Sequence, residues 1–225
     1  MNNILGVSWY NNTERVFISC IFLLSMKDKY SSYFDIKKSE SKKNFSLSFR
    51  KGRSGFLVMT IHGGGIEVGT SEIAKGIAGR ENALYLFEGN KTSDNRGLHI
   101  TSKKFDESLA LKNVLESKQV ITIHGCKDKD KVVYVGGRDR KLVRKIKLAL
   151  EKININVKTP FFRKFHGRSK KNICNKNKSG KGVQLEISFG LRKAMFENIN
   201  SRKGRGKITK VFDDFVKSIR GTLGF

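Results

Sequence analysis

Gly55-Phe-Leu-Val-Met-Thr-Ile61 is an almost unbroken apolar run, and it sets the tightest limit on the architecture. A run of this length reads as a strand buried on both faces, which needs a covering layer on each side. Gln119-Val-Ile-Thr-Ile-His124 repeats the pattern. Further strands are expected at Ser46–Arg50, Ala83–Phe87, Leu98–Thr101, Val132–Val135, Ile155–Val157 and Gly182–Ser188. Helices are expected at Tyr30–Phe34, Thr70–Ala78, Asp106–Ser117, Arg140–Ile153 and Leu191–Asn198, with an amphipathic helix through Ile208, Val211, Phe212, Phe215, Val216 and Ile219 at the end. Thr70 or Ser71 suits the N-cap of the second helix and Gly79 its stop. Strands alternating with helices predict an α/β chain, a single domain with a mixed, largely parallel sheet flanked by helices. In such sheets, sites form beyond the carboxyl ends of the strands.

Two of those ends read alike. Met59-Thr-Ile-His62-Gly63 and Ile121-Thr-Ile-His124-Gly125 each run apolar residues into His-Gly. Imidazoles from neighbouring strands can converge there, and the glycine lets the backbone turn away without a Cβ in the site. After His62 comes Gly63-Gly-Gly-Ile-Glu67, a pliable loop able to bring Glu67 back beside His62. Two His and one carboxylate leave an open fourth position on zinc, the donor set of a catalytic site. The predicted ligands are therefore His62, Glu67 and His124, holding one zinc ion. The glycine run matches neither of the common phosphate-binding loop patterns.

A zinc hydrolase needs a general base, and Glu186 is the candidate. It interrupts the apolar strand Val183-Gln-Leu-Glu-Ile187, where a carboxylate is expensive to bury unless paired or employed. Arg138, in Gly136-Gly-Arg-Asp139, is expected to fork onto a substrate carboxylate. Asn172 and Asn175, in Asn172-Ile-Cys-Asn175, offer amide donors to substrate. His99 is read as structural, and Cys126 as a poor candidate nucleophile because no base and orienting partner accompany it.

Charge narrows the partner. Lys and Arg number 46 against 20 Asp and Glu, a formal +26, and a field of that sign draws in polyanions. Nucleic acid is the rival ligand, but no recognisable binding motif or interleaved aromatic platform supports it, so no obligatory nucleic acid is expected. Cys20, Cys126 and Cys174 are odd in number and lack close spacing, which excludes a disulfide framework and a cysteine zinc knuckle. No stretch approaches the roughly 20 apolar residues of a membrane span. Residues 1–25 differ from the rest and are expected to be an N-terminal extension outside a hydrolase domain at 26–225. Val16–Ser25 lacks the basic flank and small-residue site of a convincing signal peptide. Cytoplasmic synthesis, with action outside the cell after release or lysis, is the matching expectation, and a monomer is favoured.

The segments His62-Gly-Gly-Gly-Ile-Glu67-Val-Gly-Thr-Ser-Glu72, Leu98-His-Ile-Thr-Ser102, Ile123-His-Gly125, Val135-Gly-Gly-Arg-Asp139, Asn172-Ile-Cys-Asn175 and Gly182-Val-Gln-Leu-Glu-Ile-Ser188 resemble, in order from about Met26 onward, the phage-related poly-γ-glutamate hydrolases. The resemblance implies a zinc carboxypeptidase-like α/β fold, one zinc, and endo-cleavage of γ-glutamyl amide bonds in a polyanionic capsule polymer. It carries the ligand roles onto His62, Glu67 and His124, and the base onto Glu186. A zinc amidase acting on other γ-linked peptides is the alternative. The strong basicity of this chain departs from the family pattern; it suits a polycarboxylate.

Overall fold

A computed structural model describes residues 28–160 and 165–224; the extension expected at 1–25 lies outside them. Seven strands form one sheet: β1 (Phe45–Arg50), β2 (Phe56–Gly64), β3 (Ala83–Gly89), β4 (Gln119–Cys126), β5 (Val132–Gly137), β6 (Asn156–Lys158) and β7 (Val183–Ser188), in the order β1-β3-β2-β4-β7-β5-β6. The centre, β3-β2-β4-β7, is parallel throughout. β1 runs antiparallel to β3, and β5 runs antiparallel to β7 and carries β6 parallel to itself. The expectation of a mixed, largely parallel sheet in a single domain holds.

Helices α1 (Tyr33–Ser39), α2 (Thr70–Ala78), α3 (Ser108–Glu116), α4 (Arg140–Glu151), α5 (Phe189–Ala194), α6 (Arg202–Arg205) and α7 (Lys210–Thr222) supply the covering layers. On one face, Ile73 and Ile77 of α2, Leu142, Ile146 and Leu150 of α4, and Phe212, Phe215 and Ile219 of α7 pack on Val58, Ile121, Ile123, Leu185 and Ile187 of the sheet. The spacing of these positions, three or four apart, is what gives each helix an apolar stripe. On the other face, Ile36 of α1, Ala110 and Val114 of α3, and Leu98, Ile100 and Ile173 from loops cover Leu57, Met59, Ile61, Tyr85 and Val120. Each of the valine, leucine, isoleucine, methionine and phenylalanine side chains among these, fully buried, contributes about 1.5–3 kcal/mol.

Three local expectations are corrected. Leu98–Thr101 is not a strand: a 3-10 turn spans Asn95–Leu98 and irregular chain follows. Leu98 and Ile100 are both buried and alternate as strand residues would. The backbone around them bonds to side chains instead, because Ile100 O pairs with His62 and Thr101 N donates to Asp28. The first helix lies at Tyr33–Ser39 rather than Tyr30–Phe34, capped by Ser32. The cap of α2 is Gly69, left-handed at φ 91°, not Thr70 or Ser71. Those two hydroxyls fasten the preceding loop: Thr70 Oγ1 donates to Glu67 O at 2.9 Å, and Ser71 Oγ accepts from Gly64 N at 3.0 Å.

Candidate metal centre

β2 and β4 are parallel neighbours, and both histidines sit at their carboxyl ends. On β4, Val120, Thr122 and His124 alternate onto one face, and in-register pairing with β7 sets Glu186 beside His124 on that same face. β2 needs a correction to match. Thr60 pairs with Leu86 and Gly63 with Glu88, so β2 advances three residues while β3 advances two. This is a β-bulge, which re-aims the side chain at the extra residue. It turns the His62 ring to the face that Ile61 shares with His124.

The Gly-rich loop then folds back. Glu67 N donates to His62 O at 2.9 Å, Ile66 N to Gly63 O at 3.2 Å and Gly65 N to Gly89 O at 2.9 Å. Glu67 Oε2 ends 3.2 Å from His62 Nδ1 and 3.9 Å from His124 Nδ1, and it accepts from Gly125 N at 2.7 Å. The two Nδ1 atoms are 3.0 Å apart. All three residues are buried.

Partners on the far side of each ring set the protonation. His62 Nε2 lies 2.9 Å from Ile100 O. A carbonyl only accepts, so Nε2 carries a hydrogen and Nδ1 is the nitrogen turned toward Glu67 and His124. His124 Nε2 is 3.3 Å from Ser102 Oγ, which leaves its Nδ1 directed at the same point. Two imidazole nitrogens this close need a proton or a cation between them. Burial and then the charge of His62 push His124 down to about 3. Burial alone would raise the Glu67 carboxyl; the charge and hydrogen bond of His62 and the charge of His124 more than reverse this, and Glu67 is held below the usual carboxylate range. A buried carboxylate and two imidazoles facing one point fit zinc, with the outer-ring hydrogen bonds expected of metal-binding histidines.

His99 also belongs to the neighbourhood, with a ligand atom within 4.8 Å of those of His62 and Glu67. Its ring stacks on His62 with centroids 4.0 Å apart and planes at 25°. In-plane lone pairs of rings so stacked do not aim at one ion, whereas the His124 Nδ1 faces that of His62 at 3.0 Å. His99 Nδ1 pairs with Asp28 Oδ1 at 2.6 Å, and Asp28 Oδ2 accepts from Thr101 N at 2.8 Å. Sequence reasoning missed Asp28, because a pair separated by 71 residues leaves no local pattern.

Glu186 is 8% exposed, and its Oε1 accepts from Gln184 Nε2 at 2.9 Å. Gln184 Oε1 in turn accepts from Asn172 Nδ2 at 2.7 Å. Asn172 is thus not a free donor for substrate; it holds the glutamine that holds Glu186, and its Oδ1 caps Cys174 N. Asn175 is also fully engaged, donating to Gly167 O and Ser169 O and accepting from Gly182 N. Arg138 is not brought to the centre. β5 runs against β7, so the end of β5 lies at the beginning of β7, where Gly137 pairs with Val183. There Arg138 Nε donates to Gly180 O at 3.0 Å. The arginines that do lie near the cluster are Arg192 and Arg96. Arg192 is buried and bonded to the carbonyls of Ile187, Val68 and Cys126; Arg96 reaches Glu67 Oε1 at 3.6 Å.

The fold and this cluster define an α/β protein with a His-Glu centre at the carboxyl ends of its central parallel strands. The model of the poly-γ-glutamate hydrolase family matches residues 30–218, and the chain belongs to that family. A solved bacteriophage poly-γ-glutamate hydrolase superposes with a TM-score of 0.84 at 32% identity, covering 87% of this chain and 96% of that one. YndL in its zinc-free apo form gives 0.84 at 35% identity, covering 88% and 98%. In sequence, UPF0714 protein YndL of Bacillus subtilis is 40% identical over 85% of this chain and 79% of its own length. UPF0714 protein YmaC of the same organism is 36% identical over 87% and 84%.

Proposed function

We propose that this chain is a zinc-dependent hydrolase that cleaves γ-glutamyl amide bonds of poly-γ-glutamate, with His62, Glu67 and His124 holding one ion and Glu186 as general base. The observation that carries the reading is the convergence of His62 Nδ1, His124 Nδ1 and Glu67 Oε2 at 3.0, 3.2 and 3.9 Å. Family membership, and a relative studied in a zinc-free form, support it. When bound, zinc supplies Lewis acidity: it polarises the scissile carbonyl and lowers the pKa of the attacking water.

The protein's own residues do the rest. Ile100 O and Ser102 Oγ keep the two rings turned with Nδ1 inward. Gln184 orients the Glu186 carboxylate through one oxygen, and as general base that carboxylate takes the proton from water and passes it to the leaving nitrogen. The formal +26 favours capture of a polycarboxylate. Purified protein with and without zinc, assayed on poly-γ-glutamate by product size, tests the reading. Zinc-dependent shortening is expected, and Glu186→Gln should bind zinc normally while losing on the order of 10²–10⁴ in rate. Wild-type turnover in that variant would make Glu186 a structural residue.

A further inference from the structure

Glu67 uses its two oxygens differently. Oε2 faces inward to His62, His124 and Gly125 N. Oε1 lies 3.6 Å from Arg96 Nη1 and 3.9 Å from His99 Nε2, both longer than a hydrogen bond. Arg96 is 41% exposed. Among the described residues it is the only lysine or arginine in an ion pair with a member of the cluster. Unlike Arg192, whose donors go to three carbonyls, it has donor capacity to spare.

Its position is also built. Arg96 sits in the turn Asn95–Leu98, entered through Asp94 at φ 52°. Asn95 clamps that turn, accepting from Lys91 N at 2.9 Å and donating to Lys91 O at 2.6 Å. The Asn95 side chain packs against Gly65 of the loop that carries Glu67, so closely that a Cβ on Gly65 would meet its amide nitrogen. Arg96 and Glu67 are therefore set against each other by backbone.

We infer that Arg96 determines specificity by gripping a carboxylate on the carbon attached to the leaving nitrogen. The inference rests on the function proposed above. In a γ-linked glutamate chain that carbon carries a free α-carboxylate at every repeat. In an α-linked chain it carries the next amide carbonyl, except at the last residue. A guanidinium one carboxylate's width from the metal point reads this difference at interior bonds, and its planar fork matches a carboxylate. Selection for γ-linkage and attack within the polymer then have one cause.

The test compares a γ-linked glutamate oligomer with the same oligomer whose α-carboxylates are converted to primary amides. Arg96→Gln should lower kcat/KM on the carboxylate oligomer roughly 100-fold, mostly through KM, as expected for losing a charge-assisted pair. On the amidated oligomer, wild type and variant should be alike, and Arg96→Lys should recover part of the loss. Calorimetry of zinc-loaded Glu186→Gln protein supplies a readout without turnover: it should bind the carboxylate oligomer, and the double variant with Arg96→Gln should not. Zinc content and melting temperature should be unchanged. Equal losses on both oligomers, or loss of zinc from Arg96→Gln, would overturn the inference and make Arg96 a counter-charge for Glu67. A wild-type protein that cleaves neither oligomer sinks the proposed function and this inference together. Cleavage with no difference between wild type and Arg96→Gln sinks the inference alone.

Discussion

β2 and β4 lie side by side, run in parallel and each end Thr-Ile-His-Gly, yet their histidines stand on different steps of the register. Met59 pairs with Thr122, and continuing that register sets Ile61, not His62, opposite His124. In a regular strand, His62 would point to the layer of α2 and α7. β4 delivers its histidine by plain alternation; β2 delivers the same residue type only because a bulge shifts it by one. The difference shows that similar sequence at two strand ends does not guarantee similar placement. A second strand of the same regularity would have put the two rings on opposite sides of the sheet.

The largest expected effect is loss of the metal. His62→Ala and His124→Ala should each lose zinc binding by elemental analysis, and hydrolysis with it, because two donors remain where three are needed. Their folding should diverge less: both remove a buried ring, and neither is expected to abolish the cooperative melt. If His62→Ala kept stoichiometric zinc, with His99 taking its place, the ligand set would be His99, Glu67 and His124.

The two following glycines sharpen the contrast at smaller magnitude. A Cβ on Gly63 would meet Glu88 Cγ at 2.9 Å, Phe87 O at 3.0 Å and the Ser71 hydroxyl that holds Gly64 N. A Cβ on Gly125 would meet Arg192 Cζ at 2.6 Å. Each Gly→Ala substitution should cost about 1–3 kcal/mol by overpacking. The consequences should separate. Gly63→Ala disturbs the bulge, so zinc affinity should fall beyond what the stability loss explains. Gly125→Ala pushes on a buried guanidinium, so stability should fall first. Zinc titration beside thermal melts of the metal-free variants distinguishes them; wild-type zinc affinity in Gly63→Ala would show that the bulge is set elsewhere.

Much of the fold is legible in the sequence. The sheet strands, α2, α4 and α7 follow from apolar spacing, since burial on two faces or one stripe imprints a period on the sequence. That His62 and Glu67 come together is legible because the loop between them is short and glycine-rich. The bulge was not, because an extra residue in a strand changes no local composition. The direction of β5 was equally silent: Gly136-Gly-Arg-Asp139 looks like any strand end, but a strand antiparallel to its neighbour ends at the wrong edge, and Arg138 goes with it. Arg96 and Asp28 act across long sequence separations, where no motif records them. Asn172 and Asn175, expected to donate to substrate, give their amides to interior groups instead.

The smallest expected effect concerns the residue that follows each His-Gly pair. After His62 come more glycines; after His124 comes Gly125 and then Cys126. A cysteine two residues from a proposed metal ligand and near the proposed base invites a nucleophilic role. Burial first, and then the negative charge of Glu186, push its thiol up to about 12 from an ordinary value of 9.0. Raising a thiol's pKa keeps it protonated, so at pH 8 almost none is the reactive thiolate. Cys126→Ala should accordingly leave kcat/KM within roughly twofold and zinc content unchanged, as for a small buried apolar residue. The native protein should resist alkylation at pH 8, while urea-unfolded protein, its thiols returned to ordinary values, should react readily. Rapid labelling of Cys126 in the folded state with parallel loss of hydrolysis would give β4 a chemical role that β2 lacks. Slow labelling with full activity would leave the two strand ends with the same one, the delivery of a single imidazole each.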